Sequence, residues 1–261
     1  MSQDPLLFER DGAVAKLILN RPDAANTFDV ALSRAMLEAV VTCDEDPAIR
    51  CVVLTGTGKM FSGGGDVGSF ARAGDRMPHL AKEMTAYLHT SASRLARMPK
   101  PVIVAVNGAA AGIGLSFAML GDIVLAAKSS HYTVAYNLIG LSPDGGATWL
   151  LPRLVGLRRA QELMITNRRV LADEAAQIGL VTRVVEDASL MDETMALARQ
   201  LASGATRAIG RTRGLLASSF DTSFETQMEL EARAIADSGR DPESRIGITA
   251  FVNKQKPVFP G

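Results

Sequence analysis

Short apolar runs in the first half of the chain predict a series of β-strands. Val14, Lys16 and Ile18 alternate with apolar neighbours after an Asp11-Gly12 pair, a pattern that predicts a β-hairpin beginning near Phe8. Continuous apolar runs are typical of strands that are buried on both faces. Such runs predict three further strands, at residues 51–54, 102–106 and 122–127, and residues 131–135 are a candidate for a fourth.

Between these strands, apolar residues recur at helical spacing. Residues 29–41 predict a helix with one apolar face, made of Leu32, Met36, Leu37 and Val40. Residues 78–97 predict a longer amphipathic helix, which Pro99 and Pro101 stop. Residues 112–120 have the length of a short buried helix.

From about residue 144 onward the pattern is helical. Glu186-Asp187 opens a helix that runs to about residue 202, Thr222 and Glu225 predict a capping box, and Asp241-Pro242 predicts the start of a last helix. Strands that alternate with helices and are then followed by helices alone indicate an α/β body with a helical tail. We place the body at residues 1–200 and the tail at residues 201–261.

The tail carries more apolar side chains than a short helical segment can easily bury against itself. These residues are Leu215, Leu216, Leu230, Ile235, Ile246 and Phe251. A second subunit is therefore the expected partner of this region.

Composition and charge limit the classes of function. Apolar residues make up 47% of the 261 positions, which excludes wholesale disorder. The 28 basic and 28 acidic residues balance, so no basic excess is available to bind nucleic acid or a membrane surface. Two cysteines, Cys43 and Cys51, suit a reducing cytoplasm better than a disulfide framework, and no secretory signal is expected.

One uncharged stretch, residues 101–121, has the length of a membrane span. Asn107-Gly108 breaks it, and three further glycines dilute it. We interpret it as a strand, a turn and a core helix, and expect no membrane association.

Several familiar motifs are present only in part. The segment Gly112–Phe117 begins like a dinucleotide fingerprint but has Phe117 in place of the third glycine, and Gly58-Lys59 lacks the rest of a phosphate-binding loop. The three histidines have no metal-ligand spacing, and no Gly-x-Ser-x-Gly motif occurs. The sequence therefore disfavours NAD, ATP, metal and serine-hydrolase chemistry.

Two glycine-bearing turns each follow a predicted buried strand, at Phe61–Val67 and Asn107–Gly114. Glycine lets the backbone approach a ligand closely, so two inward N–H groups could stabilise the oxyanion that forms from a polarised carbonyl. The alternative is that these turns simply connect strands to helices.

The order of several motifs along the chain resembles that of the crotonase family, the enoyl-CoA hydratase/isomerase group. The matching segments are residues 20–26, 61–66, 105–112, 121–122, 140–146, 175–184 and 251–254. The resemblance implies a crotonase-like spiral of ββα turns with an α-helical C-terminal trimerisation region, assembled as a trimer or a dimer of trimers. It also implies an acyl-CoA substrate, with coenzyme A as part of the thioester and no separate cofactor.

Matched position by position, the resemblance assigns the oxyanion hole to the N–H groups of Gly63 and Ile113. It assigns coenzyme A binding to two segments and one C-terminal lysine, namely Ala24, Ala25, Asn26, Gly63, Gly64, Asp66, Val67 and Lys254. For Lys254, a merely solvated side chain is an equal alternative.

The chain departs from the hydratases at both of their catalytic glutamates. Ser116 and Tyr136 occupy those positions, and neither side chain can replace a carboxylate at neutral pH. Hydration by the usual glutamate pair is therefore disfavoured. We expect both residues to shape the acyl pocket together with His89 and Trp149. For His89, on an amphipathic helix, the alternative is a partly buried structural histidine.

One carboxylate remains nearby, that of Asp144. Its position before Gly145-Gly146 is compatible with a helix cap. The segment Gly140–Gly156, however, resembles the epoxyphenylacetyl-CoA isomerase-like members of the family, which act in phenylacetate breakdown. In those members the matching aspartate moves a proton between carbons. The expected activity is therefore a double-bond shift or rearrangement of an enoyl-CoA, with Asp144 as the proton shuttle.

Three alternatives stay open. One is a hydratase-type lyase. A second is an aryl-CoA dehalogenase with Asp144 as nucleophile, because residues 156–168 and His89 resemble that enzyme, although Tyr136 stands where it has tryptophan. The third is a catalytically silent acyl-CoA binder, which would have no need of Asp144.

Overall fold

The computed structural model describes residues 4–259, which form ten strands and eleven α-helices. The strands are β1 (Leu6–Asp11), β2 (Val14–Leu19), β3 (Cys51–Gly56), β4 (Met60–Ser62), β5 (Val102–Val106), β6 (Ala109–Ala111), β7 (Ile123–Ala127), β8 (His131–Thr133), β9 (Val170–Leu171) and β10 (Arg183–Val185). The helices are α1 (Val30–Glu45), α2 (Val67–Ala73), α3 (Met77–Arg97), α4 (Ile113–Ala118), α5 (Ala147–Val155), α6 (Leu157–Thr166), α7 (Ala172–Gln177), α8 (Leu190–Ala202), α9 (Thr206–Ser218), α10 (Phe224–Arg240) and α11 (Pro242–Val252).

The larger sheet has six strands in the order β1-β2-β3-β5-β7-β10. The first pair is the predicted hairpin, antiparallel, with Gly12 at a φ of +57° in its turn. All other neighbours are parallel. Parallel strands are buried on both faces, which explains why β3 and β5 are continuous apolar runs.

The smaller sheet has four strands in the order β4-β6-β8-β9. Its first three strands are parallel, so their carboxyl ends lie at one edge. The two glycine-bearing turns follow β4 and β6, and Tyr136 follows β8. Three segments that are far apart in the sequence therefore meet at this edge.

Helices α1 and α3 cover one face of the larger sheet and supply much of its core. The predicted apolar face of α1 is buried at Leu32, Met36 and Val40, and the Asp29 carboxylate caps the helix by accepting from the Leu32 N–H at 2.8 Å. Phe28 stacks on Phe117 of α4, with ring centroids 5.2 Å apart. This contact ties the larger core to the helix that follows the second glycine turn.

The tail is α-helical, as predicted, but several of its apolar side chains remain at the surface of the single chain. Ile235 is 74% exposed and Phe251 is 84% exposed, and Leu216 is exposed as well. Helix α10 has no buried residue. Arg213 of α9 connects the tail to the body, since its guanidinium donates to the carbonyls of Met98 and Leu95 and to the Asp122 carboxylate; Arg50 of the body also donates to the Gly204 carbonyl.

Three details correct the sequence-based prediction of the second half. Strands β9 and β10 lie in the region predicted to be helical throughout, and β10 is the edge strand of the larger sheet, paired with β7. The cap of α10 is Ser223, which accepts from the Thr226 N–H at 3.2 Å, and not Thr222. Asp241 does precede α11, but its carboxylate pairs with Arg207 and Arg211 instead of capping the helix.

Among the described helices, none is both long enough and apolar enough to cross a membrane. In the uncharged stretch at residues 101–121, strand β5 and helix α4 are as predicted, whereas the segment predicted as a turn also contains the short strand β6.

At Gly108 the chain just before β6 passes very close to the chain just before β4. A Cβ at this position would lie 2.0 Å from the Lys59 carbonyl oxygen. We expect Gly108→Ala to lower the free energy of unfolding by about 1–3 kcal/mol or more, because backbone cannot yield as a side chain can. Urea unfolding measures this. Gly214→Ala, in open space on α9, should instead stabilise the protein by about 0.5–1 kcal/mol; a loss at Gly214 matching that at Gly108 would contradict the steric explanation.

Candidate active site

A cavity of about 420 Å³ opens where the carboxyl ends of β4, β6 and β8 meet the apolar faces of α2 and α3. Most of its wall is apolar and comes from the two helices and the segment after β8. The apolar side chains that line it are Val67, Phe70, Met77, Ala81, Met84, Leu88, Ile113, Ala135, Leu138, Ile139 and Leu141. Such a wall suits an acyl group, because apolar surface is removed from water when the group binds.

The two glycine-bearing turns touch each other at the inner end of this cavity. A Cβ on Gly64 would lie 3.0 Å from the Ala111 carbonyl oxygen and 3.5 Å from the Gly112 Cα. The turns therefore present their backbone to a common space; the close approach favours glycine at position 64, and a φ of +52° favours it at position 112.

The backbone N–H groups of the first turn differ in availability. The Gly63 N–H donates to the Ala25 carbonyl at 2.8 Å, and the Gly64 N–H donates to Ser62 Oγ at 3.2 Å. The Gly65 N–H has no acceptor among the residues that the structure describes. The predicted role of Gly63 as an oxyanion donor is therefore at odds with the structure, since its N–H is already bound.

The second turn leads into α4, whose first residue is Ile113. The N–H of Ile113 has no acceptor within residues 4–259, as is usual for the first residues of a helix. Ile113 lines the cavity, in agreement with its predicted position. The Ile113 side chain points toward the Asp144 segment, because a Cβ on Gly145 would lie 2.2 Å from Ile113 Cδ1.

Within residues 4–259, Asp144 is the only charged residue that lines the cavity. Tyr136 donates its hydroxyl proton to Asp144 Oδ1 at 2.5 Å. Burial raises the pKa of Asp144 above its ordinary value, although the Tyr136 hydrogen bond and the nearby His89 act in the opposite direction. Burial and the Asp144 carboxylate raise the pKa of Tyr136, so the phenol stays protonated and serves as a donor.

The position of Asp144 is not explained by helix capping. The residue that precedes α5 is Gly146, and no side chain caps this helix. The Asp144 main chain is held instead by Ser116, which is fully buried and donates from Oγ to the Asp144 carbonyl at 3.0 Å. Ser116 therefore does not line the cavity, and it holds the main chain of Asp144 through this hydrogen bond.

The two other residues predicted for the acyl pocket lie at different distances from it. His89 of α3 does not line the cavity, but its Nε2 is 3.9 Å from Asp144 Oδ2 and accepts from the Gly145 N–H at 3.1 Å. Trp149 is placed elsewhere. It is 42% exposed on α5, with the Arg153 guanidinium 3.9 Å from its ring centre, and the acyl-pocket prediction for it is not supported.

The residues predicted to hold coenzyme A have mixed surroundings. Val67 is half-exposed at the cavity wall, and Ala24 and Ala25 are partly exposed beside the Gly63 turn. Asn26 is fully buried. Its amide donates to the Thr57 and Met60 carbonyls, so its side chain fixes the connection between β3 and β4.

The Asp66 side chain is held by contacts within the protein, whereas the Lys254 side chain is exposed. Asp66 caps α2 and pairs with Arg21; burial alone would raise its pKa, but these hydrogen bonds keep the pKa below its ordinary value. Lys254 is exposed and makes no side-chain hydrogen bond or ion pair with the part of the chain that the structure describes.

Sequence reasoning did not identify Gly65 or the residues of the apolar wall. Phe70, Met77, Met84 and Leu88 lie on α2 and α3, and the last two belong to the buried face of α3. The helical period of that face was visible in the sequence, but not that part of it lines a cavity. No grouping of His, Cys, Asp and Glu in the described residues could hold a metal ion.

Two glycine turns at the ends of parallel strands, an apolar cavity and a helical tail are the features that the resemblance to the crotonase family predicted. The family model for enoyl-CoA hydratase/isomerase matches residues 9–261. The chain is 37% identical to a 1,2-epoxyphenylacetyl-CoA isomerase of Escherichia coli (strain K12) over 98% of each chain, and 32% identical to a crotonyl-CoA hydratase of Syntrophomonas wolfei over 99% of each.

A solved enoyl-CoA hydratase from Polaromonas sp. JS666 superposes with a TM-score of 0.93 at 30% identity, covering 98% of this chain and 99% of that one. The chain therefore belongs to the enoyl-CoA hydratase/isomerase family of the crotonase superfamily. Its relatives include an isomerase and hydratases, so the choice between these reactions has to come from the site residues.

Proposed function

We propose that this enzyme isomerises an enoyl-CoA, with Asp144 as the single proton shuttle. The observation that carries the proposal is that, among the residues that the structure describes, Asp144 supplies the only carboxylate at a cavity otherwise lined by apolar and uncharged groups. One base is sufficient for a double-bond shift, since the proton removed from one carbon is returned to another.

We propose Gly65 and Ile113 as the donors of the oxyanion hole. Their N–H groups have no protein acceptor within the described residues, and both residues line the cavity. The two donors would stabilise the negative charge that develops on the thioester oxygen when a proton leaves carbon. Losing one such donor typically costs about 3 kcal/mol in the transition state.

In the proposed reaction, Asp144 removes a proton from the α- or γ-carbon of the acyl group. The electrons of the broken C–H bond move through the conjugated system to the thioester oxygen and form an enolate or dienolate. The protonated carboxyl then returns the proton to the other carbon, which shifts the double bond and regenerates the base. Because Tyr136 occupies Oδ1, Oδ2 is the oxygen that exchanges the proton.

The same geometry argues against efficient hydration. Hydration needs one group to activate water and another to protonate carbon. Ser116 is buried and already donates to the Asp144 carbonyl, and Tyr136 is a protonated donor whose pKa is raised by burial. Neither is a base near neutral pH.

The substrate and its binding are proposed on the same basis. We favour a ring-containing or enoyl acyl group, supported by the apolar wall and by the 37% identity to an epoxyphenylacetyl-CoA isomerase. Coenzyme A enters as part of this substrate, past the segment around Ala24 and Ala25, with Lys254 as a free cation for its phosphates. Buried, unpaired Cys43 and Cys51 support a location in the reducing cytoplasm.

The test incubates purified protein with α,β- and β,γ-enoyl-CoAs, including a phenyl-substituted one, in deuterated water. We expect deuterium at the α- or γ-carbon and an isomerised product, with 3-hydroxyacyl-CoA formed far more slowly. Rapid hydration without exchange would favour the lyase. An aryl ester between Asp144 and the ring of 4-chlorobenzoyl-CoA, formed with release of chloride, would favour the dehalogenase, and tight binding without turnover would favour a silent binder.

We also propose that the tail joins copies of this chain into a trimer or a dimer of trimers. Large apolar side chains are exposed on and beside its helices, at Leu216, Phe220, Phe224, Met228, Ile235, Ile248, Phe251 and Val252. Such a concentration of exposed apolar surface on one region is typical of an interface.

A charge placed in this surface should weaken the assembly. We expect the native chain to have three or six times the mass of one subunit in light scattering, and Ile235→Glu to shift it toward smaller species. Arg233→Gln, at an exposed ion pair with Glu229, is the control and should leave the mass unchanged. A native monomer would contradict the proposal.

A further inference from the structure

His89 is bound to the Asp144 segment through a main-chain hydrogen bond. Its Nε2 accepts from the Gly145 N–H at 3.1 Å. A ring nitrogen that accepts a hydrogen bond carries no proton, so this bond requires a neutral imidazole with its proton on Nδ1. The side chain is 52% exposed, and solvent can therefore reach the ring.

The hydrogen bond from Gly145 is one of several that fix the Asp144 segment, in which the Asp144 carbonyl also accepts from the Ala147 N–H at 3.2 Å. Tyr136 holds the carboxylate at Oδ1, Ser116 holds the carbonyl oxygen, and His89 holds the N–H of the next residue. Tyr136 follows β8, and Ser116 belongs to α4. Only His89 connects the segment to α3, the helix that supplies much of the acyl-cavity wall.

Gly145 has little other freedom. Its φ is +62°, and a Cβ there would lie 2.2 Å from Ile113 Cδ1 and 3.0 Å from Ser116 Cβ. The segment is thus pressed against α4 on one side and tied to α3 on the other. A shift of Gly145 would move Asp144, because the two share a peptide bond.

We infer that His89 is a positioning residue for Asp144 and that only its neutral form fulfils this role. The inference rests on the proposed function of Asp144 as the base. A protonated imidazole would present N–H to the Gly145 N–H, two donors facing each other. The Nε2 proton would then find its acceptor in Asp144 Oδ2, now 3.9 Å away.

That exchange would affect catalysis in two ways. The Gly145 N–H would lose its acceptor and release the segment from α3. The Oδ2 atom, which must accept the substrate proton, would be engaged by a cation and would be a weaker base. Within residues 4–259, Asp144 is the one acidic group within 4.0 Å of His89, and Tyr136 is the other ionisable group on its carboxylate.

Two substitutions separate positioning from bulk. The amide oxygen of Gln in His89→Gln can accept from the Gly145 N–H but cannot be protonated near neutral pH. We expect kcat within about threefold of the native value, whereas His89→Leu should lower kcat by up to about 100-fold with little change in KM. His79→Gln, an exposed histidine on the same helix, is the control.

The acid side of the pH profile carries the sharper distinction. With two protonations that each stop the reaction, log kcat of the native enzyme should fall with a slope of two at low pH. In His89→Gln only Asp144 remains, so the slope should become one. A native kcat in His89→Leu, or a slope of two in His89→Gln, would overturn the inference.

A measurement without substrate keeps the inference separate from the proposed function. In ¹⁵N-histidine-labelled protein, the signals of His89 are identified by their loss in His89→Gln. We expect the neutral tautomer with the proton on Nδ1. A proton on Nε2 would refute the positioning role even if Asp144 is the base, whereas an active Asp144→Asn variant would refute the proposed function even if the tautomer is as expected.

Discussion

The Asp144→Asn variant is expected to lose deuterium exchange and isomerisation by about 10²–10⁴-fold or more, while still binding the acyl-CoA. The amide keeps the shape of the carboxyl and can still accept from the Tyr136 hydroxyl, but it cannot take up a proton from carbon. Rates are measured by the appearance of deuterium in the product, and binding by calorimetry with a non-isomerisable acyl-CoA.

The same variant should be at least as stable as the native protein near neutral pH. The fold raises the pKa of Asp144, mainly through burial, so it disfavours the ionised form. This penalty is absent at pH values below the ordinary pKa of aspartate, near 3.9, and develops as the pH rises through the folded-state pKa. The Tm of Asp144→Asn should therefore exceed the native Tm at high pH, and the difference should shrink toward low pH.

Asp192→Asn is the matched control, because Asp192 is an exposed carboxylate on α8, outside the acyl cavity. It should keep both native activity and native Tm. An Asp144→Asn variant that retains exchange would show that another group is the base. One that loses activity together with its fold would show that the carboxylate is structural.

Arg213→Met should lower the free energy of unfolding by about 3–5 kcal/mol, the largest stability effect we expect from a single side chain. Arg213 is 9% exposed and makes hydrogen bonds to Asp122 and to two carbonyls at the end of α3. Methionine fills similar space but leaves those acceptors without their donor. Urea unfolding in the native buffer measures the loss.

Arg207→Met on the same helix is the control. The Arg207 side chain is 64% exposed and pairs with Asp241 at 3.1 Å, so its removal should cost no more than about 1 kcal/mol. Similar losses at both positions would mean that burial and the shared acceptors of Arg213 contribute little.

The fold was predictable from the sequence wherever an element buries a continuous apolar face. The hairpin of β1 and β2, the buried strands β3, β5 and β7, and helices α1 and α3 all have such faces. Strand β10 was missed because it has only three residues, and Arg183 at its start is exposed, so it shows no apolar run. Its place in the sheet is decided by its partner β7, which is 58 residues earlier at each paired position.

The site was predictable in outline but not in its hydrogen bonds. Gly63, Gly64 and Gly65 are the same residue type, so the sequence does not show which N–H is available. The Gly63 N–H donates to the Ala25 carbonyl and the Gly64 N–H to the Ser62 hydroxyl, and the first of these acceptors is far away in the sequence. Trp149 follows Asp144 by five residues, yet α5 turns its ring toward Arg153. His89 is 55 residues before Asp144, and only the packing of α3 brings it to the Gly145 N–H.

The order of the strands has a consequence for synthesis. In the larger sheet each strand after β1 is added at the edge left open by the strand before it in that sheet, and the same is true of the smaller sheet. A nascent chain emerges from the ribosome with its N-terminal residues first. Every new strand therefore meets a partner that is already present, and a chain released as far as Ala127 has five of the six larger-sheet strands in hand. This topology lets the body fold in the direction of translation.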